Sequence, residues 1–384
     1  GVCALTPWGL WRALGIRRQA ARPVAIAAAL GIAALAFATV QRNAVWSSHE
    51  TLWRDGLAKA PAHPRPNTNL GMALAIAGRN EEALGYYSRA AELDPDFQEA
   101  HHNAGVALHL LGRLDDAKRE LERALELEPN DRFTHWTLGQ VLIAQGNVAG
   151  GIAQLEQGAK MGKEPLLWFE LGRRLAAQGR LEDAEQWLAY AVAIDRANPE
   201  MHAVLGSVLI ARGDLGRGAG HLGLSLNVRE SAIVRAQLAR AVWARGQWTA
   251  ALAHAERALK SGADRLEVVA TLAWMLATSP DAAQRDPQRA LELVGPFVLD
   301  AEASGKRTDP RLLEAAAAAL ASGGVLDRAE RLLLRALEES RASGLLGVAS
   351  SVEDGLERLR RGESMVETSA TAAARMGSGS WSPE

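Results

Sequence analysis

The chain has 384 residues, of which 48% are hydrophobic and 23% are charged, with a formal net charge of −2 at pH 7. This composition provides apolar material for a sizeable core and excludes wholesale disorder, and the lack of a basic excess argues against nucleic acid as a partner. The single cysteine, Cys3, cannot form an internal disulfide. Alanine, leucine, arginine and glutamate are abundant while β-branched residues are sparse, so the composition favours helices.

The first element in chain order is the uncharged apolar segment VAIAAALGIAALAFATV at residues 24–40. At about 1.5 Å per helical residue, this segment just crosses a hydrocarbon core. Residues 1–22 carry four arginines and no acidic residue, whereas Arg42 is the only lysine or arginine from 41 to 53. We predict a basic cytoplasmic flank at 1–22 and a transmembrane helix at 23–41, with all that follows on the extracytoplasmic (periplasmic) side.

Two other interpretations of the apolar segment are open. A cleaved signal peptide has the same basic and apolar regions, and Ala36-Phe37-Ala38 imitates its cleavage site. The upstream flank is long for such a peptide, so we favour a retained span, and both interpretations export the chain after residue 42. A buried, alanine-rich core helix is the third interpretation. The chain also lacks a methionine at position 1, which indicates a piece of a longer protein.

Small residues then recur with a period of 33 or 34 residues, which is typical of a helical-repeat solenoid. This first series runs Gly71, Gly105, Gly139, Gly172, Gly206, Ala239 and Ala273. A second series follows seven residues later, where each first helix of a hairpin is expected to stop: Gly78, Gly112, Gly146, Gly179, Gly213 and Gly246. A third small series lies twelve residues after the first, where two helices are expected to approach closely.

Two stretches carry these series in full: NLGMALAIAGRNEEALGYYSRAAELDP at 69–95 and HNAGVALHLLGRLDDAKRELERALELEP at 102–129. Both resemble the tetratricopeptide (TPR) motif. The resemblance implies an all-α fold, a right-handed TPR superhelix (α-solenoid) preceded by one transmembrane helix. We expect a linker helix at 42–63, eight TPR-like hairpins over 64–342, a capping helix at 343–361 and a disordered tail at 362–384. The hairpins are expected to start near residues 64, 98, 132, 165, 199, 232, 266 and 310.

The TPR resemblance also implies where a protein or peptide partner binds. Family ligand contacts fall at the second, fifth, ninth, twelfth and thirteenth motif positions, on the concave face formed by the first helices. The corresponding residues are Arg65, Thr68, Glu99, His102, His109, Phe133, Trp136, Gln140, Phe169, Arg173, Arg240 and Trp243. For the aromatic members Trp136, Phe169 and Trp243, packing between neighbouring helices is an equal alternative, because helical spacing does not separate a groove from a core.

The sequence offers little for catalysis, and we expect no catalytic, cofactor or metal site. No HExxH, CxxC or phosphate-binding glycine loop is present. His102 and His109 lie two helical turns, roughly 10 Å, apart, which is too far for joint metal ligation. His101 and His135 take the fourth motif position, where a bulky residue normally packs, so a structural role is expected for both.

The junction RNAVWSSHETLWRDGLAKAPAHPRPNTNLG at 42–71 resembles the membrane-to-repeat junction of multi-pass GT-C type glycosyltransferase-like proteins, including bacterial relatives of TPR-containing O-mannosyltransferases. The matching residues are Arg42, Asn43, Trp46, Glu50, Leu52, Trp53 and Pro61. Trp46 and Trp53, seven residues apart, are expected on one face of a short helix. The sequence therefore leaves three functional hypotheses. The first is a protein-interaction scaffold. The second is the acceptor-recruiting C-terminal region of a membrane glycosyltransferase whose catalytic part lies elsewhere, and the third is an assembly scaffold of an envelope complex.

Overall fold

A computed structural model describes residues 18–262, 266–367 and 371–372, and within these ranges the regular elements are all α-helices. The first, α1, spans Arg18–Val45. Its stretch Ile26–Val45 is long and apolar enough to cross a membrane, and none of that stretch is buried in the protein. The predicted span at 23–41 lies inside α1, which continues four residues further. Most of the predicted basic flank lies outside the described residues.

The junction helix α2 spans His49–Lys59 and begins with a capping box, in which the Ser48 side chain accepts from the backbone N–H of Thr51. Trp53 and Leu57 of α2 pack against the core of the first hairpin. Trp46, by contrast, precedes α2 and is 61% exposed. The expectation of one shared tryptophan face is wrong, because the Ser47–Ser48 turn separates the two residues.

The chain divides into two compact units, Gly1–Met161 and Gly162–Glu384. The N-terminal unit contains three consecutive helical hairpins after α2. Their helices are α3 (Pro64–Ile76), α4 (Asn80–Leu93), α5 (Gln98–Leu110), α6 (Leu114–Leu127), α7 (Arg132–Ala144) and α8 (Val148–Lys160). Each hairpin packs its first helix on its second, and the hairpins of this unit pack on one another through α4 on α5 and α6 on α7.

Glycine explains both the turns and the close approach within a hairpin. Gly78, between α3 and α4, has φ +77°, a left-handed conformation in which other residues are strained. Gly71 faces Tyr87 so closely that an added Cβ would lie 2.6 Å from the Tyr87 ring. The first series of small residues therefore sets the distance between the two helices, and the second series ends the first helix.

In its described residues, the C-terminal unit contains five further hairpins and one more helix after them. Their helices are α9 (Pro165–Ala177), α10 (Leu181–Ile194), α11 (Pro199–Ala211), α12 (Leu215–Val228), α13 (Ala232–Ala244), α14 (Trp248–Ser261), α15 (Leu266–Thr278), α16 (Pro287–Ser304), α17 (Pro310–Ser322), α18 (Leu326–Ala342) and α19 (Leu346–Arg360). The seventh hairpin has a longer turn, residues 279–286, and its second helix, α16, contains Pro296. Residues 315–319, a run of alanines, are all buried between helices.

The segment that follows α19 packs against the helices of this unit. After α19, residues 363–367 have no regular secondary structure, yet Met365 and Glu367 are only 4% and 3% exposed. The prediction of a disordered tail from residue 362 is therefore wrong for 363–367, because these residues fill a site on the first helices that the sequence did not reveal. The rest of the predicted tail, apart from residues 371 and 372, lies outside the described residues.

Candidate functional site

An open groove lies on the first helices of the N-terminal unit. It encloses a cavity of about 350 Å³ between α3, α5 and the start of α7. Its lining residues are Thr68, Asn69, Met72, Gln98, Glu99, His102, Asn103, Glu128, Asp131 and Phe133. We call this cavity the N-terminal groove.

One wall of the N-terminal groove is held in place by a network of polar side chains. Asp131 caps α7 by accepting from the backbone N–H groups of Phe133 (3.3 Å) and Thr134 (3.2 Å). The Gln98 amide donates to Asp131 across 3.1 Å, and the Thr134 hydroxyl donates to the same carboxylate. The imidazole Nδ1 of His102 lies 2.8 Å from the Thr134 hydroxyl. Because the network links α5 to α7, the wall is formed before any ligand arrives.

The titratable residues that line the N-terminal groove are acidic or histidine, and the nearby Arg132 guanidinium lies 4.6 Å from the ring centre of Phe133. Burial lowers the pKa of His102, although the Asp131 carboxylate acts in the opposite direction, so the imidazole is neutral at pH 7. Burial by itself raises the pKa of Asp131, but the Thr134 hydroxyl, His102 and the α7 backbone outweigh it and hold this pKa below its usual value. Glu99 and Glu128 add two more carboxylates, and the lining residues include no lysine or arginine.

Four of the predicted contact residues meet in this groove: Thr68, Glu99, His102 and Phe133. Phe133 is 47% exposed, whereas the Thr68 hydroxyl is turned back to the carbonyl of Pro64, 3.3 Å away. The other predicted residues of this unit do not line the cavity. Arg65 is exposed, and His109, Trp136 and Gln140 are half-buried on their helices.

In the C-terminal unit the predicted contact residues have different environments. Arg173 is exposed on α9, with its guanidinium 5.7 Å from the ring centre of Phe169, which is itself buried. Arg240 is 4% exposed. Its guanidinium donates hydrogen bonds to the Thr271 hydroxyl (3.2 Å) and the Glu267 carboxylate (2.7 Å) of α15. Arg240 therefore joins two first helices and is not free to meet a partner.

Trp243 is also buried, but its polar atom has a specific neighbour. Its indole Nε1–H donates to the Glu367 carboxylate across 2.8 Å, and the indole of Trp274 donates to the same oxygen across 2.9 Å. Glu367 comes from the segment after α19. We call Trp243 and Trp274 the indole pair.

The histidines at the fourth motif position hold each hairpin to its predecessor. Nε2 of His101 lies 3.0 Å from the carbonyl of Pro95, and its Nδ1 lies 2.8 Å from Glu120 on the second helix. His135 repeats both contacts with Pro129 and Gln154. These contacts give both rings a structural role. Among the described residues, no group of three histidine, cysteine or acidic side chains is arranged to hold a metal ion.

Comparison with known proteins bears on the repeats directly. One tetratricopeptide repeat family model matches residues 74–138, and a second matches residues 50–96 and 137–201. Residues 50–201 are tetratricopeptide repeats. The all-α fold class that the resemblance implied is confirmed by these matches together with the helices of the described residues.

The chain is also similar in part to protein O-mannosyl-transferases. It is 30% identical to Tmtc2 of Drosophila melanogaster over 101 residues, which is 26% of this chain and 11% of the fly protein. It is 31% identical to mouse TMTC1 over 96 residues, 25% of this chain and 10% of the mouse protein. The matched part thus spans about a tenth of the length of these relatives.

Among solved structures, YrrB, described as a TPR protein with an unusual peptide-binding site, covers 46% of this chain and 92% of its own length at 20% identity, with a TM-score of 0.40. PilF of Pseudomonas aeruginosa covers 53% of this chain and 94% of its own length at 16% identity, with a TM-score of 0.45.

Two residues of the C-terminal unit, Trp274 of the seventh hairpin and Glu367 after α19, were absent from the predicted contacts. Trp274 takes the ninth position of the seventh hairpin, so the repeat register itself identifies it. Glu367 has no such signal, because it follows the last helix in a segment rich in small and polar residues. Only the folded chain brings it to Trp243, 124 residues away in sequence.

Proposed function

We propose that this chain is a protein-interaction scaffold that binds a peptide segment of a partner protein in the N-terminal groove. The observation that supports the proposal is the open cavity in which Thr68, Glu99, His102 and Phe133 meet. Concave sites with a few convergent polar groups are the usual location of ligand binding, and a preformed wall lowers the cost of binding.

The chemistry of the groove favours a particular class of segment. Three carboxylates, those of Glu99, Glu128 and Asp131, face a cavity whose apolar contacts come from Met72 and Phe133. Met72 and Phe133 are 44% and 47% exposed, so both have area to bury against a partner. A segment with a lysine or arginine beside an apolar side chain complements this groove in charge and in shape.

The experiment is a peptide selection on the wild-type chain, followed by affinity measurements on variants. We expect Phe133→Ala to weaken a selected peptide roughly tenfold, as loss of an aromatic anchor at the centre of an interface does. Ile76→Ala is the matched control, because Ile76 lies on α3, is 77% exposed and does not line the cavity. Equal losses in both variants, or none in Phe133→Ala with unchanged circular dichroism, would refute the proposal.

We further propose that α1 anchors these repeats to a membrane and that they stand on the extracytoplasmic side. The apolar stretch Ile26–Val45 and the arginines before it support this arrangement. The similarity to O-mannosyl-transferases favours a second function, in which the repeats recruit acceptor proteins for a membrane glycosyltransferase whose catalytic groups lie outside this chain.

Protease protection tests the anchor and its orientation together. The chain, translated in the presence of sealed membrane vesicles, is digested from outside with and without detergent. We expect the repeats to be protected until detergent is added, because translocation places them inside the vesicle. Replacement of Leu30 and Leu35 by aspartate places charge in the apolar stretch and should abolish protection. Complete digestion of the wild-type repeats in intact vesicles would contradict the proposed orientation.

A further inference from the structure

The segment after α19 is held on the first helices of the C-terminal unit by contacts of two kinds. Its main chain is bound by α15, where the N–H of Glu367 donates to the carbonyl of Thr278 (2.9 Å), and by the preceding helix α19, where Arg358 donates to the carbonyl of Val366 (3.0 Å). Its side chains are inserted: Met365 and Glu367 are almost completely buried. We call residues 363–367 the tail segment.

The anchor of the tail segment is the Glu367 carboxylate on the indole pair. Trp243 and Trp274 are 3% and 6% exposed, and an indole nitrogen can only donate a hydrogen bond. A buried donor without an acceptor is costly, so the pair requires an oxygen at this point. A carboxylate supplies the strongest one, since hydrogen bonds to an ionised acceptor are roughly twice as strong as neutral ones.

The place of the indole pair in the repeats points to ligand binding rather than to core packing alone. Trp243 and Trp274 take the twelfth and ninth positions of their hairpins. Glu367 and its neighbours reach them as a segment without regular secondary structure. A segment held by a main-chain hydrogen bond to a helix and by an inserted side chain has the form of a bound peptide.

We propose that the tail segment is an internal ligand of the C-terminal repeats, and that the indole pair is a binding site for an extended partner segment carrying an aspartate or glutamate, which binds by displacing the tail. This site is separate from the N-terminal groove and has the opposite charge preference. A tethered ligand competes at a millimolar effective concentration, so the tail keeps weak acidic segments out and admits only those that bind more tightly.

The test uses the full chain and a fluorescein-labelled peptide with the sequence of residues 362–370, GESMVETSA. Glu367→Ala removes the anchor from the tail and leaves the indole pair intact. We expect this variant to bind the peptide at least about tenfold more tightly than wild type, with Glu367→Gln between the two. A peptide with alanine in place of its second glutamate should not bind. Glu338→Gln is the matched control, since Glu338 is exposed on α18, outside the tail segment, and should leave wild-type affinity unchanged.

A second pair of measurements separates displacement from unfolding. Hydrogen exchange should show faster exchange at residues 363–367 in Glu367→Ala, while the amides of α13 and α15 stay protected. In the background of Glu367→Ala, Trp274→Phe keeps a ring but removes one donor, and it should return peptide binding to the wild-type level or below. Equal peptide affinity for wild type and Glu367→Ala would overturn the proposal, and so would tight binding to the Trp274→Phe, Glu367→Ala double variant.

Discussion

The N-terminal groove is open, whereas the indole pair of the C-terminal unit is covered by the chain itself. Phe133, at the second position of its hairpin, is about half exposed, while Trp243, at the twelfth position of another, is 3% exposed. The resemblance to the tetratricopeptide motif predicts ligand contacts at both positions. Motif position therefore specifies which way a side chain faces, and the neighbouring elements decide whether that face meets solvent, another helix or a segment from elsewhere in the chain.

Two of the three predicted contact arginines, Arg65 and Arg240, give the largest expected difference between the units. Arg240→Ala removes the buried link between α13 and α15 and leaves Glu267 and Thr271 without that partner. We expect the free energy of unfolding to fall by about 3 kcal/mol, near the lower end for a broken buried pair because Glu267 is partly exposed. Arg65→Ala, at an exposed position, should stay within about 0.5 kcal/mol of wild type.

Urea denaturation followed by helical circular dichroism measures both variants. A loss of less than about 1 kcal/mol for Arg240→Ala would show that this arginine is not a structural link. The contrast between an exposed arginine in the N-terminal unit and a structural, buried arginine in the C-terminal unit would then be wrong.

The comparison also requires the N-terminal hairpins to be tightly packed, so that the open groove is a formed site rather than a loose region. At Gly139 an added Cβ would lie 2.7 Å from Leu155 and 2.8 Å from the carbonyl of Gly151. We expect Gly139→Ala to cost about 1–3 kcal/mol, because backbone must move. Gly85→Ala is the matched control: nothing lies within 4 Å of its added Cβ in α4, and better helix propensity should stabilise the chain by about 0.5–1 kcal/mol.

The thermal unfolding midpoint, measured with the free energy of unfolding, distinguishes the two glycines. If Gly139→Ala were as stable as wild type, the contact between α7 and α8 would be looser than the structure indicates.

The smallest expected effect is a pH dependence that comes from His102. Its pKa in the folded chain lies below the ordinary value of about 6.5, so the unfolded chain binds more protons between the two values. The contribution of neutral His102 to stability is complete above about pH 6.5 and is lost as the pH falls toward the folded pKa. Asp131, whose pKa is also lowered, loses its contribution only at more acidic pH.

His102→Gln removes this titration while keeping a polar side chain against Thr134. We expect the slope of unfolding free energy against pH to decrease below about pH 6.5 in the variant. Other histidines with lowered pKa, His109, His221 and His254, remain in both chains and cancel in the difference. Identical slopes would show that His102 has the same pKa in the folded and the unfolded chain.

The sequence predicted the helical-repeat fold because the repeat leaves a local signature. Gly71 and Gly78 recur at a fixed spacing, one for close helix packing and one for the turn, and no long-range information is needed to recognise them. The N-terminal groove was partly predictable for the same reason, since the register gives Glu99, His102 and Phe133. Burial at Arg240 and Trp243 was not predictable, because it depends on contacts with α15 and with the tail segment.

The contacts of His101 and His135 have a consequence for how the chain can change in length. Each ring spans a fixed interval, from a carbonyl six residues earlier to a side chain nineteen residues later, and His202 spans the same interval between Arg196 and His221. A single inserted residue between Pro95 and His101 would move the carbonyl away from the ring, whereas duplication of residues 98–131 would carry a complete set of contacts with it. Such an array can gain or lose whole repeats more readily than single residues at these junctions.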